Sequence, residues 1–276
     1  MRARSYLYVP ANDREKLAKA SARGADALIL DLEDSVGASE KTLAREILRE
    51  WLKTADVGPE LWVRINADSI DEDLAAIATA RVTGIILPKS SNHLDLESVS
   101  QKLLELERER GIERPLEIYA LIESAKGLLN ALSIAECDRV NKLILGELDL
   151  RSDLSLPLGA SDEVLLFARS SIVFASAAAG IEPPIASVST NFRDLEEFEK
   201  NSIAYRTLGY FGRTCIHPDQ IELVNRIFTS SLSEIESAKE ILKRISAANG
   251  GAAIDAEGKM IDEASAKNAR RIIATS

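Results

Sequence analysis

Short apolar runs of strand length alternate with longer segments of helical period almost to the end of the chain. Eight strand-like runs stand at 5–10, 27–32, 61–66, 84–89, 118–122, 143–146, 185–188 and 213–217. Helical patterns fill most of the gaps, at 13–23, 39–54, 71–81, 94–110, 161–179, 193–208 and 219–248, the last broken around 229–233. Asp13 is placed to cap the first helix, and Gly24, Gly111 and Gly180 are placed to stop three of them. Strands that alternate strictly with helices pair in parallel, because each crossover returns the chain in the same direction. Eight such units in roughly 250 residues predict an α/β fold, a closed (β/α)8 TIM barrel. A doubly wound open sheet is the competing reading. Its Gly-x-Gly-x-x-Gly turn is absent, since the first strand leads into PANDRE.

The tail breaks the alternation. After Gly250 and Gly251 comes a hairpin-like stretch, AAIDAEGKMID, with its turn at 255–258, and then a last helix at 263–274. The reading is a barrel over residues 1–249 and a C-terminal extension over 250–276. An extension this short cannot bury a core alone, so it must pack on its own barrel or on a neighbouring subunit. The net charge of −10 argues against broad nucleic-acid or anionic-membrane binding. Only two cysteines, no apolar segment of bilayer length and no signal-type leader point to a reduced, cytoplasmic protein.

In a (β/α)8 barrel the active site lies at the C-terminal ends of the strands. That rule nominates Asp31, Glu33 and Asp34 after the second strand, Arg64 and Asn66 after the third, and Lys89 after the fourth. It then nominates Glu123 after the fifth, Glu147 and Asp149 after the sixth, Ser187 and Ser189 after the seventh, and His217 after the eighth. Glu123 and Asp149 end neighbouring parallel strands and make a plausible cradle for a hard divalent cation; capping the following helices is the equal alternative. Oxygen ligands without a His/Cys cluster favour Mg²⁺ or Mn²⁺ over Zn²⁺. Strand alternation places Glu147 on the same face as Asp149. Arg64 is suited to a substrate carboxylate, or else to an ion pair with Glu33 or Asp34. Arg14, Lys16 and Lys19 lie near the first loop, where phosphates or plain solvent are their two fates. No lysine is read as standing alone within an apolar strand, which gives a Schiff-base mechanism little support. His217 reads as a structural histidine and His93 as a solvated one.

Taken together, YLYVPANDREKLAKA, GADALILDLEDSV, VRIN, GIILPK, ALIESAKGLLNA, LGELDL, FRDLEEF and LGYFGRTCIHPDQIELVN resemble, in order, the citrate lyase β-subunit-like branch of the HpcH/HpaI aldolases. The resemblance runs from Ser5 to the final helix. It implies a (β/α)8 barrel and a Mg²⁺-dependent carbon–carbon lyase acting on 3-hydroxyacyl thioesters. It makes Glu123 and Asp149 the metal ligands and Arg64 the group that binds the oxo-acid carboxylate. Glu33 and Asp34 would lie beside the metal, and Arg14 and Lys19 in the region that meets the phosphates of coenzyme A. The tail GKMIDEA is similar to that of malyl-CoA and citramalyl-CoA lyases, which implies that Asp262 serves as an acid in the site of a neighbouring subunit of a homo-oligomer, a trimer or hexamer. A citrate lyase β-chain working with an acyl carrier protein, a malyl-CoA thioesterase or malate-synthase-like enzyme, and a CoA-independent pyruvate aldolase remain as alternatives.

Overall fold

The computed structural model describes residues 2–55, 58–157, 159–248 and 251–274. Its elements follow the expected alternation: β1 (Ser5–Pro10), α1 (Arg14–Ala20), β2 (Ala27–Asp31), α2 (Lys41–Thr54), β3 (Glu60–Arg64), α3 (Ile70–Ile77), β4 (Gly84–Leu87) and α4 (His93–Arg110). Then come β5 (Glu117–Ile122), α5 (Ala125–Leu129), α6 (Ala131–Ala135), β6 (Val140–Leu145), α7 (Glu147–Asp153), α8 (Leu166–Ala179), α9 (Leu195–Leu208), β7 (Arg213–Cys215) and α10 (Asp219–Ile227). The strands form one parallel sheet in the order β6-β5-β4-β3-β2-β1-β7. The sheet curls on itself, a TIM-barrel-like α/β fold.

The seventh expected strand, 185–188, is reduced to bridges. Pro183 and Pro184 precede it, and a proline offers no N–H to a ladder. Ile185 bridges Ile144 of β6 and Ala186 bridges Arg213 of β7, both in the parallel sense. Those two contacts span the gap between the outermost strands. The third expected helix ends early, at Ile77. Arg110 takes its last carbonyls, donating to Ala78 O at 2.9 Å and Ala75 O at 3.0 Å, as cationic side chains do at helix C-termini.

Inside the barrel Tyr6, Ile29, Trp62, Ile86, Tyr119 and Ile144 belong to one buried cluster. Trp62 stacks on Tyr119 with ring centroids 3.4 Å apart, and Tyr6 meets Tyr119 edge-on at 6.2 Å. Lys142 of β6 is buried among them and donates to the Tyr6 hydroxyl at 2.7 Å. This corrects the expectation that no lysine stands within an apolar strand. Lys142 faces Tyr119 across the β5–β6 register near the strand start, away from the C-terminal ends where chemistry is expected, so it does not revive the Schiff-base reading.

The chain divides into two compact units within α10, one spanning Ala3–Asn225 and the other starting at Arg226. The second contains α11 (Leu232–Ala247), the antiparallel hairpin β8 (Ala253–Ile254) and β9 (Met260–Ile261), and α12 (Glu263–Ala274). Ile245, Ile261 and Ala266 form its core. The extension expected from residue 250 therefore gains its core by packing with α11.

Gly84 has no room for a side chain. A Cβ there would stand 2.2 Å from Glu117 O and 2.6 Å from Trp62 Cζ3. Gly84→Ala should destabilise the first unit by about 1–3 kcal/mol, the range for overpacking a tight core, seen as a lower urea midpoint. An unchanged midpoint would show that the β3–β4–β5 wall yields freely.

Candidate active site

At the C-terminal ends of the strands the barrel opens into a cavity of about 510 Å³, lined among others by Tyr8, Asp31, Asp34, Arg64, Glu123 and Asp149. One corner is built on the β2–β3 register. Asp31 and Arg64 are direct partners across these parallel strands, so their side chains leave the sheet on the same side. Arg64 grips Asp31 with both arms, Nε to Oδ1 and Nη2 to Oδ2, each at 2.7 Å. Asp31 is 1 % exposed, yet the Arg64 guanidinium and the Ser35 and Glu33 N–H groups hold its carboxyl below the usual range against the cost of burial. Arg64 Nη1 also meets Glu33 Oε2 at 2.8 Å and Asp34 Oδ2 at 3.0 Å. The Tyr8 ring lies 5.0 Å from the guanidinium carbon. The expected ion pair with Glu33 or Asp34 is present with both, and Arg64 also lines the cavity. Its main partner, however, is Asp31.

Glu33 is buried, and its Oε2 has no hydrogen bond despite the contact with Arg64. Burial pushes its carboxyl up to about 8; Arg64 opposes this, and the charges of Asp34, Glu123 and Asp31 add to it.

The opposite side carries Glu123 and Asp149. Glu123 is 8 % exposed, and its Oε1 accepts from the Lys89 backbone N–H at 2.6 Å. Lys89 adopts φ 54°, a left-handed conformation uncommon outside glycine. Gly146 leaves the space that Glu123 occupies: a Cβ there would lie 2.7 Å from Glu123 Cβ and 3.0 Å from its Oε2. Burial pushes the Glu123 carboxyl up to about 7, with the Lys89 N–H opposing and the charge of Asp149 contributing to the rise. Two hard oxygen donors on one cavity, one of them short of positive charge, suit a divalent cation that keeps several waters. Among the described residues no cluster of three or more His, Cys, Asp or Glu side chains is arranged for a metal, so the fit rests on this pair.

Glu147 departs from the expectation. The chain turns helical at Gly146, and Glu147 and Asp149 both belong to the first turn of α7. Positions two apart on a helix do not share a face, so strand alternation does not relate them. Glu147 pairs with Arg169 through two contacts at 2.7 Å and also accepts from the Tyr205 hydroxyl.

The other nominees scatter. Asn66 is buried against Asp73, donating to its Oδ2 at 2.7 Å, and is a wall residue. Ser187 and Ser189 line the main cavity. His217 stacks on Phe192 at 5.2 Å and borders a second cavity of about 440 Å³ with Lys16, Lys19 and Arg23. The two cavities share Tyr8 and Ile216. Arg14 lines neither of these two; it borders a groove beside Ile47 and Trp51 and an open pocket shared with Lys16 and Ser35. Asp262 caps α12 in the second unit, accepting from Ala264 N at 3.0 Å and Ser265 N at 3.2 Å. Reading from the sequence missed Asp31 as the partner of Arg64, and it missed Arg169 altogether. The matched strand ends LILD and LWVR carried the signal for the first; nothing local marks the second.

Residues 4–218 match the family described as HpcH/HpaI aldolase/citrate lyase, and residues 174–276 match one described as C–C bond lyases of the TIM-barrel fold. Citrate lyase subunit beta of Leuconostoc mesenteroides subsp. cremoris is 33 % identical over 280 residues, covering 98 % of this chain and 92 % of that protein. A (3S)-malyl-CoA thioesterase of Cereibacter sphaeroides is 32 % identical over 277 residues, covering 98 % and 93 %. Among solved structures, CitE from Mycobacterium tuberculosis in complex with magnesium, acetoacetate and coenzyme A is 30 % identical, with a TM-score of 0.78 over 99 % of this chain and 97 % of that one.

The buried Glu33 carboxyl makes a testable mark. Folded, it keeps its proton to about 8, whereas its ordinary value is 4.5. Between those values the native state holds the extra proton, so this group's contribution to stability falls as pH rises through that window. Glu33→Gln should therefore gain on the wild type in thermal melts between about pH 5 and about pH 9. A difference that stays flat with pH would mean that Arg64 keeps Glu33 ionised throughout.

Proposed function

The chain belongs to the HpcH/HpaI aldolase/citrate lyase family, and from that premise we propose that it is a Mg²⁺-dependent carbon–carbon lyase of 3-hydroxyacyl-CoA thioesters. Its substrate would be of the malyl-CoA or citramalyl-CoA type, cleaved to an oxo acid and acetyl-CoA or formed from them by Claisen condensation. The observation that carries this reading is the single cavity that brings Arg64 together with Glu123 and Asp149. The Mycobacterium protein that binds magnesium, acetoacetate and coenzyme A supports it.

Glu123 and Asp149 would hold Mg²⁺, which supplies Lewis-acid stabilisation to the oxygens of the oxo-acid portion. Arg64 binds the carboxylate of that portion. Asp34, its most exposed partner, is the one that gives way. In cleavage a base takes the hydroxyl proton, the oxygen's electron pair forms the oxo group, the C2–C3 bond breaks, and its electron pair leaves on the thioester fragment as an enolate. A carboxylic acid then protonates the enolate carbon, giving acetyl-CoA. Asp262 of a second copy is the proposed acid. The second cavity adjoins the main one and carries Lys16, Lys19 and Arg23 beside Asp13, Glu15 and Asp219. Lys16 and Lys19 are paired with Asp13 and Glu15 and would leave these exposed partners to meet the phosphates of coenzyme A, with Arg14 in a further pocket that shares Lys16.

A homo-oligomer, trimer or hexamer, is part of the proposal. Leu129, Phe167 and Phe174 are 80 %, 68 % and 76 % exposed on α5 and α8, and Ile254 and Met260 are 63 % and 73 % exposed on the hairpin beside Asp262. Large apolar side chains left in water favour a partner surface. No helix among the described residues is long and apolar enough to cross a membrane, and both cysteines are free thiols, which supports the cytoplasm as its place.

The second reading is hydrolysis of the same thioester, favoured by the likeness to the malyl-CoA thioesterase. A likeness of equal degree to a citrate lyase β subunit keeps an acyl carrier protein in view as the thioester carrier. Incubating the protein with malyl-, citramalyl- and citryl-CoA and Mg²⁺, and assaying oxo acid, acetyl-CoA and free CoA together, separates the outcomes. Oxo acid in step with acetyl-CoA is the expected result; free CoA without oxo acid sinks the lyase reading. Chelation of the metal should abolish turnover. Arg64→Lys should lower kcat/KM by about 10²–10³-fold, comparable to loss of one preorganised donor. Asp262→Ala should block enolate protonation, read as lost exchange of the acetyl-CoA methyl protons with solvent; undiminished exchange would remove Asp262 from the mechanism.

A further inference from the structure

We propose that Arg169 is a positioning residue that sets the first turn of α7 and thereby aims Asp149 at the metal. This rests on the reading of Asp149 as a metal ligand. Asp149 is exposed and takes no hydrogen bond from the described residues. Its placement depends on the backbone of a helix only 7 residues long. Two residues earlier, Glu147 is held rigidly. Arg169 Nε and Nη2 each donate to it at 2.7 Å, with side-chain exposures of 13 % for Arg169 and 12 % for Glu147. The Tyr205 hydroxyl donates to the same carboxylate, and the Tyr205 ring lies 4.9 Å from the guanidinium carbon.

Arg169 is itself fixed from two sides. Its Nη2 donates to Asp162 Oδ2 at 2.9 Å, and its carbonyl accepts from the Tyr210 hydroxyl at 3.1 Å. The far end of α7 has two further tethers, Arg151 to Asp162, the carboxylate that Arg169 also meets, and Asp153 to the Ala125 N–H. The clamp on Glu147 and the tether on Arg151 flank the ligand, each two residues from it, and Arg169 takes part in the first directly and in the second through Asp162. Removing one partner of this part-buried, bidentate ion pair leaves the other charge poorly compensated, and it releases the turn that carries Asp149 to shift. Groups hydrogen-bonded to a metal ligand govern affinity by about 10–100-fold, and a clamp on the turn that carries the ligand acts on the same placement through the backbone.

The test measures Mn²⁺ binding to the full chain by electron paramagnetic resonance, without substrate. Arg169→Met should weaken Mn²⁺ binding about 10–100-fold, while kcat at saturating metal stays within a few-fold of wild type. Arg169→Lys should restore part of the affinity. Glu147→Gln, which keeps the shape and removes the charge, should weaken binding in the same direction and covers the case in which Arg169→Met does not fold. A folded Arg169→Met or Glu147→Gln protein that binds Mn²⁺ as tightly as wild type overturns the proposal, even if it melts at lower temperature. Asp149→Asn separates the two levels. If it too leaves Mn²⁺ binding unchanged, the metal-site reading fails along with the proposal; if it alone abolishes binding, only the positioning role is lost.

Discussion

The bidentate pair between Asp31 and Arg64 is the constraint from which the site follows. It exists because β2 and β3 are in register at their last residues, so a strand-end acid meets a strand-end guanidinium with no loop in between. Buried ion pairs contribute little net stability, because the desolvation of two charges offsets most of their attraction. What this pair provides is placement. It fixes Arg64 at the mouth of the barrel, with Tyr8 beneath it and three carboxylates around it.

That arrangement leaves the cavity with too much negative charge. Arg64 answers one of the charges of Asp31, Glu33 and Asp34, and Glu123 and Asp149 add two more nearby. Burial raises the carboxyls of Glu33 and Glu123, and this surrounding negative charge adds to the rise while Arg64 opposes it at both. A divalent cation at Glu123 and Asp149 would relieve the second of these. The floor of the barrel has the opposite character: Lys142 is enclosed by tyrosines, its ammonium 5.3 Å and 5.4 Å from the Tyr6 and Tyr119 ring centroids. Aromatic packing closes that end, and the polar, ionised end is the one left open.

Much of this was legible in the sequence because it depends on period and on position along strands. The alternation of elements, and Arg64, Glu123 and Asp149 as strand-end groups, need only local pattern. What escaped depends on long-range partners. Glu33 and Asp34 were the expected partners of Arg64 and both do meet it, but register adds Asp31, which takes two of its nitrogens. The run 185–188 looked like a strand by composition, and two prolines before it limit it to bridges. Lys142 was invisible as a core residue because its burial is made by Tyr6, 136 positions away in sequence. Glu147 looked like a companion of Asp149 until a helix start at Gly146 turned it towards Arg169.

For the proposed role of Arg64 as the carboxylate binder, the unequal exposure of its partners decides which part of a crowded guanidinium is available. Asp31 is 1 % exposed and holds two of its arms, so displacing it would strand a buried charge. Asp34 is 72 % exposed and holds one arm by a single contact. An ion pair open to water is worth about 0–1 kcal/mol, so an incoming carboxylate can take that arm at small cost, and Asp34 returns to solvent. Asp31 therefore orients the guanidinium throughout the exchange. On the proposed reading, one arginine would serve as a structural strut and as a binding group at once, because the two roles would use different edges of the same plane.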